Sequence, residues 1–155
     1  MANLHDIVQW CNQTLKANEF KDYAPNGLQI EGKSEIKKIV CAVTASEDAI
    51  DAAIAQQADV LLVHHGYFWK GEPYPITGMR GNRIKKLIQH NISLIAYHLP
   101  LDAHPVLGNN AAIADLIGLK NLEALDSSEK HPIGNIAYLE HALSPEQFKT
   151  KLQAI

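Results

Sequence analysis

The stretch "DVLLVHHGYFWKG", from Asp59 to Gly71, carries the clearest structural signal in the chain. Its unbroken apolar run, Val60 to Val63, lies between an aspartate and a polar end, which reads as a strand buried on both faces, the kind that parallel sheets contain. The strand delivers two adjacent imidazoles, His64 and His65, then Gly66 and three aromatics. Packing alone does not ask a core strand to end this way.

On the N-terminal side the pattern alternates. "IKKIVCAV" reads as a buried strand and "TASEDAIDAAIAQQ" as a helix, with Ser46 as N-cap and Glu47 and Asp48 in the positive first turn. On the C-terminal side come a long aromatic and Gly/Pro loop, a helix near "NRIKKLIQH", a strand at "SLIAY", another loop, and a helix at "NNAAIADLIGL" opened by Asn109 and Asn110 as an N-cap pair. Strand and helix in succession predict an α/β fold with a largely parallel sheet flanked by helices. Ahead of it, Leu4, Ile7, Val8, Cys11 and Leu15 recur at helical spacing and predict an amphipathic opening helix that stops near Asn18. "DYAPNGLQIEG" then reads as a loop turning at Pro25, Asn26 and Gly27.

After Gly118 the character changes to a polar stretch "DSSEKHP", a strand "IGNIAYLE", and a helix start at Ser144, Pro145, Glu146 and Gln147. This divides the chain into an α/β metal-site domain at 1–125 and the start of a second, incomplete part at 126–155.

At 155 residues the chain has the size of one domain. Its formal net charge of −3 and scattered lysines, Lys37, Lys38, Lys85 and Lys86, offer no basic stripe for nucleic acid. No run approaches the roughly 20 apolar residues of a membrane span, and the N-terminus has no signal-peptide core, so the expected location is the cytoplasm. Cys11 and Cys41 form no CxxC and read as buried thiols.

Ligands of open parallel sheets bind at the carboxyl ends of the strands. Three predicted strands end in polar residues there: one at Thr44, one at His64 and His65, and one at His98, with Asp102 a few positions further in "HLPLDAH". Neutral imidazoles with a carboxylate are the donors of Zn, Mn and Fe(II) sites. At a strand end that turns through Gly66, both histidine rings can leave the edge, each toward its own ion, while an aspartate can bridge two ions about 3.5–4 Å apart. His64, His65 and Asp102 are therefore the expected metal ligands, with packing as the alternative. His98 is the catalytic candidate as a proton carrier, with ligand, orienting and packing roles open beside it.

Other residues read more plainly. His104, held extended by Pro105, suits a capping or surface role and a site role equally. Tyr67, Phe68 and Trp69 read as core or interface before they read as a wall that stacks on a flat substrate ring. Lys70, Arg80 and Arg83 read as a solvated charged face before an anion site. No GxGxxG, P-loop or GxSxG motif is present.

"DYAPNGLQIEG", "DVLLVHHGYFWKG" and "AYHLPLDAHPVLGNNAAIADLIGL", three separated motifs in order, resemble the Nif-three-like family, also known as type 2 GTP cyclohydrolase I homologues. The resemblance runs from about Leu4 to the end. It implies an α/β fold of two related parts, a homohexameric ring, and a dinuclear centre of divalent metal ions (Zn, Fe or Mn) whose first-half ligands fall on His64, His65 and Asp102. It also implies a further part with a histidine and a glutamate that complete the centre. No such motif occurs in this sequence, so the resemblance covers only the first part of the family pattern. The function implied is a metal-dependent hydrolase acting on a polar, phosphate- or purine-containing small molecule. The alternatives are a non-catalytic metal-binding ring or scaffold protein, a GTP cyclohydrolase-like activity, and an inert shortened form.

Overall fold

A computed structural model describes the whole chain, residues 1–155. It divides into two compact units, Met1–His98 and Leu99–Ile155.

The first unit is built on a four-stranded sheet in the order β2 (Gly27–Ile30), β6 (Ser93–Ala96), β5 (Val60–His65), β4 (Ile39–Thr44). β4, β5 and β6 are parallel, as the strand–helix succession requires, and β2 is added antiparallel to β6. The fold is thus α/β with a mostly parallel sheet. β2 lies within the stretch read as a loop. It is four residues long, starts on a glycine and is irregular between Leu28 and Ile30, so it carries little strand signal of its own. A small ladder of β1 (Ala2–Asn3) with β3 (Glu35–Ile36) is likewise too short to announce itself.

One sheet face is sealed by α2 (Glu47–Ala55) and α3 (Gly78–Gln89). Leu61, Val63, Leu94, Ala96 and Ile30 meet Ile50, Ala53, Ile84 and Leu87 in one apolar cluster. Fully burying each large aliphatic side chain contributes about 1.5–3 kcal/mol, so this layer is the main stabilising element of the unit. α2 begins as expected, with Ser46 Oγ accepting from the Ala49 N–H at 3.2 Å. The opening helix α1 (Leu4–Thr14) is capped by Asn3, whose Oδ1 accepts from His5 N–H at 2.9 Å. It ends at Leu15, earlier than expected, and a 3-10 turn at Ala17–Glu19 follows. Leu4 and Leu15 bury their side chains, and Tyr97 donates its hydroxyl to Asn12 Oδ1 at 2.8 Å, tying α1 to the end of β6.

The second unit contains α4 (Leu99–Ala103), α5 (Asn109–Ile117), the antiparallel pair β7 (Leu119–Ala124) and β8 (Asn135–Leu139), and α6 (Pro145–Gln153). α6 has the expected capping box between Ser144 and Gln147, with Pro145 in the first turn. α5 is capped by Gly108 rather than by Asn109 or Asn110. Those amides are used elsewhere, Asn109 donating to Asp102 Oδ1 at 2.9 Å and Asn110 to the Ile133 carbonyl at 2.6 Å. α5 stops at Gly118, whose φ of 71° is the left-handed closure that glycine allows. No helix of the chain is long and apolar enough to cross a membrane.

Candidate metal centre

β5 ends in His64 and His65, and the chain leaves them through a glycine that has no alternative. A Cβ at Gly66 would stand 2.2 Å from Gln29 Oε1 and 2.8 Å from the Ala96 Cβ. Gln29 is there for a reason: its Oε1 accepts from Tyr67 N–H at 2.8 Å while its Nε2 donates to the Pro25 carbonyl at 2.9 Å. The strand end is therefore pinned to β2, and through Gln29 to the loop that precedes it.

Within this frame three imidazoles gather. The ring centroids of His64 and His65 are 4.4 Å apart, His64 and His98 5.0 Å, and His65 and His98 5.8 Å. One ring nitrogen from each lies within 4.8 Å of those of the other two, a spacing that could hold a metal ion. All three are partly buried.

The outer partners test whether these rings suit a metal. His64 Nδ1 lies 2.9 Å from the Tyr97 carbonyl, which can only accept, so Nδ1 carries the hydrogen and, in a neutral ring, the lone pair is on Nε2. His98 Nδ1 lies 2.7 Å from Asp22 Oδ1, a side chain only 3% exposed. His65 Nδ1 meets Thr44 Oγ1 at 3.1 Å. Metal-binding histidines characteristically engage the second ring nitrogen with a carboxylate, carbonyl or other polar group. A carbonyl, a carboxylate and a hydroxyl stand in those places here, so the donor chemistry fits a divalent ion.

Of the residues expected from sequence, His64, His65 and His98 come together in the first unit. Asp102 belongs to the second unit, on α4, where it is half-buried and accepts from Asn109. His104 takes the capping role: its Nδ1 accepts from Leu107 N–H at 2.9 Å and Val106 N–H at 3.2 Å.

The three aromatics separate. Tyr67 is core, its hydroxyl donating to the Ala45 carbonyl at 2.6 Å, and burial pushes that phenol up to about 12. Phe68 packs against the apolar cluster from a left-handed backbone, φ 66°. Trp69 alone stands beside the histidines, edge-on to His98 at 4.9 Å and 6.0 Å from His65, with its indole N–H donating to the Gly66 carbonyl. Arg80 clamps Glu72 and the Pro75 carbonyl, and Arg83 pairs with Glu47, so both serve the scaffold.

Asp22 is the residue that sequence reasoning missed. It lies beside the Pro-Asn-Gly turn, more than seventy positions from the histidine it touches, and only the contact reveals it.

An α/β sheet whose parallel strands end in a group of three oriented imidazoles defines a class: a protein whose strand edge carries histidines that could hold a metal ion. Sequence comparison gives the family. A family model described as Duf34/NIF3 (NGG1p interacting factor 3) matches residues 2–155, and the chain belongs to that family. A "GTP cyclohydrolase 1 type 2 homolog" of Haemophilus influenzae is 49% identical over 156 residues, covering 100% of this chain and 61% of that protein. A relative of the same name from Neisseria meningitidis serogroup B is 58% identical over 118 residues, 76% of this chain and 47% of that protein. The solved structure titled "Structural genomics, protein ybgI, unknown function" superposes with a TM-score of 0.90 at 42% identity, over 98% of this chain and 60% of that one. The chain spans about half the length of the curated relatives it matches.

Proposed function

We propose that this chain supplies part of a divalent-metal centre of a hydrolase that acts on a polar, phosphate- or purine-containing small molecule. The observation that carries the reading is the group of His64, His65 and His98, with ring nitrogens within 4.8 Å of one another and each Nδ1 engaged by an outer partner. His64, His65 and Asp102 would hold the divalent ions, Zn, Fe or Mn. Such ions, when bound, make water a nucleophile near neutral pH and polarise the bond to be cleaved. The chain's own contribution is positional. His98, with Nδ1–H committed to Asp22, keeps an Nε2 lone pair for taking up a proton. Trp69 limits the approach to the rings and offers an aromatic surface to a flat substrate.

The test is metal content per chain by elemental analysis after stripping and reloading with Zn, Mn and Fe(II), followed by turnover on a panel of phosphoesters and purine nucleotides, GTP included. The expected result is stoichiometric metal that His65→Ala loses, and metal-dependent hydrolysis. His98→Ala should lose turnover. Metal bound without turnover on any panel member would favour a storage or delivery role instead, and no metal in the parent chain would overturn the reading. Self-association into a homo-oligomeric ring is proposed alongside; exposed apolar side chains such as Val43 and Met79 support it, and sedimentation velocity measures it.

A further inference from the structure

A closed circuit of hydrogen bonds joins the loop before β2 to the end of β6. The His98 backbone N–H donates to Asn26 Oδ1 at 2.8 Å, Asn26 Nδ2 donates to Asp22 Oδ2 at 2.9 Å, and Asp22 Oδ1 lies 2.7 Å from His98 Nδ1. Every direction in this circuit follows from one fact, that a backbone N–H can only donate. It dictates which atom of the Asn26 amide is the oxygen. The amide nitrogen must then point at Asp22, and the carboxylate, able only to accept when ionised, requires its hydrogen from His98 Nδ1.

We propose that Asp22 is the positioning residue that holds neutral His98 as its Nδ1–H tautomer, leaving Nε2 as the one ring nitrogen with a lone pair. Both roles open to His98, metal ligand and proton acceptor, need that lone pair. The consequence for metal binding rests on the proposed metal centre; the tautomer itself does not.

The circuit makes a sharp test of Asp22→Asn, which keeps the shape and replaces one acceptor with a donor. The new NH₂ cannot stand opposite Asn26 Nδ2, because two donors would meet there and Asn26 cannot turn while His98 N–H holds its oxygen. Turned the other way, the NH₂ replaces Oδ1, which faces His98 and accepts from Tyr23 N–H at 2.6 Å. That bond is exposed, so water can take the place of Oδ1 as the acceptor for Tyr23 N–H. His98 must then accept at Nδ1 and carry its hydrogen on Nε2. A carboxylate-to-amide change beside a catalytic histidine acts through the same tautomer inversion in the serine-protease triad.

The measurement is a long-range ¹H–¹⁵N correlation spectrum of the metal-free, imidazole-labelled chain at about pH 8.5, roughly two units above the ordinary histidine value. Comparison with His98→Gln assigns the His98 signals. The expected result is Nδ1–H in the parent and Nε2–H in Asp22→Asn, with the affinity for Zn(II) alone reduced about 10–100-fold in the variant. An Nε2–H or imidazolium His98 in the parent overturns the proposal, and so does an unchanged tautomer in a folded Asp22→Asn. The parent spectrum decides by itself if the variant does not fold. An Nδ1–H that inverts in Asp22→Asn while neither form binds Zn(II) supports the role of Asp22 and overturns the metal reading instead.

Discussion

Replacing Asp59 by asparagine should destabilise the first unit at neutral pH and cost progressively less in acid. Asp59 opens β5 and is 6% exposed. Its Oδ1 accepts from Lys33 Nζ at 2.8 Å, and its Oδ2 from the Lys37 and Lys38 N–H groups at 2.9 and 3.1 Å. Both oxygens face donors only, so an asparagine would set its NH₂ against a donor in either orientation. The Lys33 ammonium, followed by the two backbone amides, holds the carboxyl down at about 2 from an ordinary 3.8. At 1.36 kcal/mol per pH unit this corresponds to on the order of 2 kcal/mol, part of it screened because Lys33 is half exposed. The folded value lies below the unfolded one. The contribution is therefore complete above about pH 4 and is lost as the pH falls through about 2.

Urea unfolding of the parent and Asp59→Asn over that range measures it. The expected gap is about 2 kcal/mol near pH 7, shrinking toward zero between about pH 4 and 2. A gap that does not change with pH, or one under about 0.5 kcal/mol at neutrality, would mean that the Asp59 charge does not hold this end of β5. The result reaches the site as well. The Asp59 backbone bonds to Lys38 on one side and Ser93 on the other. These bonds set the register of β5, and a one-residue slip would exchange the faces of His64 and His65.

Gly66→Ala should cost about 1–3 kcal/mol, because the new methyl displaces a Gln29 side chain bonded at both ends. Thermal unfolding checks this, and a double variant with Gln29→Ala should be markedly non-additive. Tyr67→Phe leaves the Ala45 carbonyl without its 2.6 Å donor and should lower stability by about 1 kcal/mol with metal content unchanged. A larger loss of metal than of stability would place Tyr67 in the site instead of the core. Thr44→Val removes the partner of His65 Nδ1 from an exposed position, so it should weaken Zn(II) binding about 10-fold while hardly moving the unfolding midpoint.

The parallel core was legible because it rests on composition over several residues at once. "DVLLV" and "SLIAY" are apolar on both faces, and Ser46 and Ser144 cap where their sequences say they should. What escaped is short or antiparallel: β2, the β1–β3 ladder and β7. Each gains its conformation from a partner strand rather than from its own residues, so no local pattern marks it. The early end of α1 has a similar cause. Lys16 takes a left-handed backbone, φ 52°, and breaks the helix where the apolar spacing would have carried it on.

The histidines were visible as residues and invisible as oriented groups, yet two of their three outer partners follow from register alone. Thr44 is paired with His65 across β4 and β5, which puts its hydroxyl beside that ring. Val63 pairs with Ala96, so the next carbonyl along β6, that of Tyr97, lies beside His64. Once the parallel order of β4, β5 and β6 is accepted, both could have been written down from the sequence. Asp22 could not, because no strand register connects it to His98. It arrives through a turn whose only local signal is the Pro-Asn-Gly sequence, and that turn serves to bring Asp22, Asn26 and Gln29 to the ends of two different strands. The loop thus reaches the histidines themselves, and it does so with the one carboxylate among the three outer partners.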